Sequence, residues 1–177
     1  MFSEHYKLLS VIFSYPEDER LLKESSEKLY RISLDIHRLD DFIEFIRGSS
    51  LSAIQEEYVS TFELQPLCAP YISHHIYGES YKKGEYMVFL KEIYRNHSFE
   101  YTINELPDHI AVISEFLSVL DRNRSEFISK IMPGLIKMNE KIENKNTPYR
   151  EPVQLLYRLC SSELSEFEKE VVECSTF

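Results

Sequence analysis

The chain is poor in the residues that several function classes require. It has no tryptophan and only four glycines. No glycine-rich phosphate loop, GxSxG elbow or cysteine–histidine signature can be found, so nucleophilic and phosphoryl-transfer chemistry have no support. Cys68, Cys160 and Cys174 form an odd set without a CxxC spacing. That is poor material for a disulfide framework or a zinc knuckle, and three reduced, partly buried thiols are expected. The longest apolar runs, such as Ile110 to Ile113, are far too short to cross a bilayer, and Glu4, His5 and Lys7 stand where a signal peptide would be apolar. The expectation is a cytoplasmic protein with no direct membrane insertion. Basic residues are also scarce: 20 Lys and Arg face 30 Asp and Glu, a formal charge of -10. Such a field repels phosphate backbones and anionic lipid and attracts cationic ligands, so nucleic acid is not an expected partner.

What is present is core material and helical periodicity. Hydrophobic residues make up 43% of the 177, with 12 Tyr and 11 Phe, and no Gly-, Pro- or Ser-rich spacer divides them. One domain over residues 1–177 is expected, large enough to bury a real core. Apolar residues recur at spacings of three and four, which predicts an all-α, single-domain bundle of roughly eight to nine helices.

A first helix reads from His5 to Phe13 on the stripe Leu8, Leu9, Ile12 and Phe13, broken by Tyr15-Pro16. Glu17-Asp18-Glu19 opens a second, through Leu22, Leu29, Ile32 and Ile36, with carboxylates at the positive end of the dipole. Asp40 or Asp41 caps a third that stops at Gly48, and the Ser52/Gln55 spacing opens a fourth through Tyr58 and Phe62. Glu63 to Gly78, with Pro66 and Pro70, reads as a long ordered loop and as the first place to look for a site. Later helices carry Tyr86 to Tyr94, then Ile110 to Leu120 with Pro107 in the first turn, then Phe127 to Ile142, bent or interrupted at Pro133. Val153 to Leu159 and Leu164 to Val171 read as two closing helices.

Two pairs of residues stand out. In Asp108-His109, helical spacing puts Asp108 on one face with Glu115 and His109 about 100° away. Asp108 can be a first-turn carboxylate and His109 a hydrogen-bonded core ring, or both can serve a site. His74-His75 invites a metal, yet adjacent histidines diverge in helix or strand and no HExxH is present. A small metal-dependent hydrolase using His74, His75, Asp108 and His109 is the competing reading. No metal or cofactor is predicted.

Several segments in series resemble a known family. They are LLSVIFSYPEDE near the start, EYVSTFEL from Glu57, HIYGESYKKG from His75, LKEIY from Leu90 and ELPDH from Glu105. Their order and spacing are similar to those of the TorD/DmsD/NarJ chaperones that mature molybdoenzymes, and most of all to the nitrate reductase delta subunit, or NarJ, branch. The resemblance covers most of Leu8 to Leu120; the remainder matches only as generic helix. Thr61, where the trimethylamine-oxide branch favours leucine, fits the nitrate-reductase-like branch, while Tyr81 departs from a basic residue common in the family.

The resemblance implies an all-helical, non-enzymatic chaperone. Its partner would be the N-terminal segment, a twin-arginine leader or a leader-like stretch, of the catalytic subunit of a molybdopterin oxidoreductase, held until the cofactor is inserted. The family's acid-histidine motif falls on Asp108 and His109, framed by Glu105 and Pro107, and its aromatic motif on Tyr58 and Phe62. The expected client site therefore joins Tyr58, Phe62, Tyr71, Ile72 and Tyr77 as apolar contacts to Asp108 and Glu115 as partners for basic client residues, with His109 ordering the helix start. A monomer and a helix-swapped dimer are both compatible with the sequence.

Overall fold

In the computed structural model the backbone is described for residues 2–64 and 68–174 and side chains through residue 167. Nine α-helices lie among the described residues: α1 (Ser3–Phe13), α2 (Glu19–Ser33), α3 (Asp40–Gly48), α4 (Leu51–Tyr58), α5 (Ile72–Tyr77), α6 (Lys82–Asn96), α7 (Ile110–Val119), α8 (Arg124–Glu143) and α9 (Arg150–Cys174). A π-helical turn, Val59–Glu63, extends α4. No strand is present among the described residues, only an isolated antiparallel bridge between Tyr71 and His109.

Helix α7 is the centre. Seven of its ten residues are buried, and a helix apolar on nearly every side belongs inside a core. Helix α1 lies along it and also meets α2 and α9, while α8 packs on α9 and α5. The stripe on α1 is as the spacing requires, with Leu9, Ile12 and Phe13 fully buried, and the chain turns extended at Ser14 ahead of Pro16. Asp18 caps α2 by accepting from the Leu21 amide at 2.9 Å. At α3 neither Asp40 nor Asp41 is the cap; both lie in its first turn, and Glu151 of α9 accepts from the Phe42 amide at 2.9 Å. At α4 the cap is Ser50, not Ser52.

Three expectations about elements are corrected. Residues 63–78 are not one loop: they end the π turn and include α5. Pro66 lies outside the described residues. Helix α8 runs unbroken through Pro133, because the carbonyl that loses its donor belongs to Ser129, an exposed residue. The two closing helices are one, α9. Cys68 and Cys160 are buried free thiols, as expected; the Cys174 side chain lies outside the described ones. No described helix is long and apolar enough to cross a membrane.

Candidate functional site

The acid-histidine pair sits before α7, not within it. His109 is the N-cap residue, with extended backbone, and its Nδ1 accepts from the Ala111 amide at 3.1 Å. An imidazole accepting at Nδ1 is neutral, and burial enforces this by lowering its pKa from 6.5 to about 4. Asp108 looks the other way. Its Oδ2 accepts from the Ser73 amide of α5 at 3.0 Å, and its backbone carbonyl accepts from the Ile72 amide at 3.0 Å. The Ile110 amide donates to the Pro70 carbonyl at 2.8 Å, which completes the bridge. Two adjacent residues thus cap two different helices, α5 and α7.

This junction is enclosed. Asp108 is 0% exposed and its Oδ1 has no hydrogen-bond partner. Burial pushes its carboxyl up, with hydrogen bonding from Ser73 and the Lys83 charge pulling the other way. The Tyr71 ring meets His109 edge-on, centroids 5.2 Å apart, and its hydroxyl donates to Glu105 at 2.9 Å. Tyr94 donates to the Pro107 carbonyl at 2.7 Å.

The family's aromatic positions are equally enclosed. Tyr58 and Phe62 are each 2% exposed, meet Tyr149 edge-on and one another at a tilt, and the Tyr58 hydroxyl donates to the Phe13 carbonyl at 2.9 Å. Ile72 is buried on α8. Of the expected client contacts, Tyr58, Phe62, Ile72, Pro107, Asp108 and His109 are all buried. Tyr71, Tyr77, Glu105 and Glu115 retain partial exposure. Asp108 and Glu115 also do not share a helix face, because Asp108 precedes α7.

The hydrolase reading requires four side chains to converge, and they do not. His75 Nε2 bonds to the Ala69 carbonyl at 2.7 Å, and Lys141 Nζ lies 3.4 Å from His75 Nδ1. Asp108 and His109 are committed to caps. No group of three or more potential metal ligands occurs among the described residues. His74 and His75 are half-buried and buried residues of α5.

A cleft does open on the far side of α7. It has a volume of about 710 Å³ and lies between α1, the α1–α2 turn, the start of α2, the α6–α7 link and the end of α7. Val11, Tyr15, Pro16, Leu21, Ile103 and Val119 give it apolar walls; Glu17, Asp18 and Glu115 give it an acidic edge, with Lys7 the basic residue in its lining. Leu21 and Val119 are 51% and 57% exposed. Glu115 is the one expected site residue that lines it. Its Oε2 is buried with no partner and burial raises its pKa, so it is a carboxylate lacking a donor. A smaller apolar cleft, with Val59 and Leu64, shares Tyr15. A signal for these walls was present in the sequence: Val11, Leu21 and Val119 are apolar residues lying off the buried stripes of their helices.

Residues 31–154 match the family described as nitrate reductase delta subunit. The chain is similar to the probable nitrate reductase molybdenum cofactor assembly chaperone NarW of Escherichia coli (strain K12), 27% identical over 160 residues, 90% of this chain and 69% of that one. The nitrate reductase molybdenum cofactor assembly chaperone NarJ of the same strain is 24% identical over 163 residues, with 88% and 69% covered. The crystal structure of a redox enzyme maturation protein from Archaeoglobus fulgidus superposes with a TM-score of 0.66 at 27% identity, covering 91% of this chain and 94% of that chain.

Proposed function

This chain belongs to the nitrate reductase delta subunit family, and from that premise we propose that it is a cytoplasmic maturation chaperone which grips the N-terminal segment of a molybdopterin oxidoreductase's catalytic subunit in the cleft beside α7. It is not an enzyme; its relatives are named as assembly chaperones. The observation that carries the cleft assignment is Glu115, a half-buried acid set among the apolar walls of the cleft. An arginine or lysine of the client pairs with the part of the Glu115 carboxylate that faces the cleft, and apolar client residues cover Val11, Leu21, Ile103 and Val119. Burial of the apolar residues provides most of the affinity, and the acidic edge, Glu17, Asp18 and Glu115, sets the orientation. Nothing in this arrangement requires a twin-arginine pair; one basic residue flanked by apolar ones is sufficient.

The test is calorimetry of the purified chain against the N-terminal peptide of the molybdoenzyme catalytic subunit encoded beside it. Glu115→Gln is expected to weaken binding about tenfold, the cost of replacing a charge-assisted hydrogen bond by a neutral one. Unchanged affinity in Glu115→Gln removes the cleft from the proposal, and absence of binding by the unaltered chain removes the client.

A further inference from the structure

We propose that Asp108 is a positioning residue, which never meets the client but fixes one wall of the client cleft by capping α5. This rests on the cleft reading above. The wall in question is Thr102 and Ile103, and it belongs to residues 100–108, the later part of the link of residues 97–109 between α6 and α7. Among the described residues, four hydrogen bonds tie that link to elements other than the adjoining α7: Tyr94 to the Pro107 carbonyl, Ile72 N–H to the Asp108 carbonyl, Ser73 N–H to the Asp108 carboxylate, and Tyr71 to Glu105. Three of the four converge on Tyr71 to Ser73. The start of α5 is therefore the principal anchor of the cleft wall.

That anchor is itself rigid. Ile72 lies directly on the backbone of α8 at Gly134, where a Cβ would come within 2.6 Å of its Cγ2. Force on the wall passes through Asp108 into α5 and from α5 into α8, a continuous packed path. What Asp108 supplies is an acceptor for the Ser73 amide. It does not supply usable charge to a client: the side chain is 0% exposed. An amide oxygen would serve as well, since the first-turn amides of a helix need an acceptor but no full charge. A residue that paired with a basic client would behave in the opposite manner, because there the charge is the interaction.

Asp108→Asn and Asp108→Ala in the full chain separate these roles. Two readouts are taken: hydrogen exchange of the Glu105 amide, which donates to the Ile103 carbonyl at 2.8 Å, without client, and affinity for the N-terminal peptide. Asp108→Asn is expected to retain native exchange at Glu105 and to bind within about twofold of the unaltered chain, at every salt concentration. Asp108→Ala is expected to accelerate that exchange and weaken binding by about tenfold or more, as for loss of a buried acceptor. Tyr71→Phe, which removes another bond of the same anchor from a partly exposed ring, should move both readouts the same way by less, and keeps the test open if Asp108→Ala does not fold. The inference is overturned if Asp108→Asn loses the peptide while Glu105 exchange stays native, for then the charge meets the client. It is equally overturned if neither Asp108→Ala nor Tyr71→Phe alters Glu105 exchange. Because exchange is read without client, it tests the anchor even where the peptide reading fails.

Discussion

At the residue scale, His109 shows how burial turns an ionisable group into a pH-dependent stabiliser. Its folded pKa, about 4, lies below the ordinary 6.5, so between those values the unfolded chain binds a proton that the folded chain refuses. The contribution of His109 is complete above pH 6.5 and is lost as pH falls from there towards 4, on the order of 3 kcal/mol at most. His75, also lowered to about 4 by burial, acts in the same direction. Asp108, raised by burial, acts oppositely: its carboxyl favours the fold when protonated and loses that contribution as pH rises through its folded pKa. His109→Asn isolates one of these effects, since asparagine is a good N-cap and does not titrate. Melting curves across this range should show the unaltered chain losing stability relative to His109→Asn as pH falls. Parallel profiles would mean that His109 is not held neutral by the fold. The partner of Asp108 could not be assigned from sequence, because Ser73 lies 35 residues away in the chain, whereas His109 caps the local Ala111 amide.

At the scale of elements, the contact of α5 with α8 is decided by a missing side chain. Gly134 leaves room for Ile72 and Ile76; a Cβ there would lie 2.6 Å from Ile72 Cγ2, 2.7 Å from the Ile72 carbonyl oxygen and 3.0 Å from Ile76 Cγ1. Gly134→Ala gains helix propensity of about 1 kcal/mol but forces two helices apart, and overpacking of this kind costs about 1–3 kcal/mol. Net destabilisation of about 1 kcal/mol is expected from denaturant unfolding. Gly84→Ala in α6 is the control: nothing lies within 4 Å of its added Cβ, and a gain of about 0.5 kcal/mol is expected. If both alanines stabilise alike, the close approach of α5 to α8 is wrong. Most helix bodies were legible as periodic stripes, α1 and α7 most directly. Ends and junctions were less so. The cap of α3 comes from Glu151, more than a hundred residues away, and α9 does not divide because no helix-breaking residue separates Leu159 from Leu164.

At the scale of the molecule, a formal charge of -10 and an acid-edged apolar cleft assign two separable roles to binding. On the proposed function, the field would accelerate approach of a basic peptide and the walls would hold it. Stopped-flow measurement with the client peptide should therefore show an association rate that falls as salt rises, while dissociation changes little. An association rate indifferent to salt would exclude the acidic edge from recognition.

The all-helical class, the helix stripes, the sign of the field and the family were legible in one dimension, since each of these follows from local spacing, composition or motif order. Which side of each element faces solvent at a junction was decided only by the tertiary structure. Asp108, His109, Tyr58 and Phe62 look like surface chemistry in one dimension and are enclosed in three, because α5, Tyr149 and α1 fold over them. The open cleft instead formed where α1, α2 and α7 leave off-stripe apolar residues uncovered, an outcome of packing among helices distant in the chain.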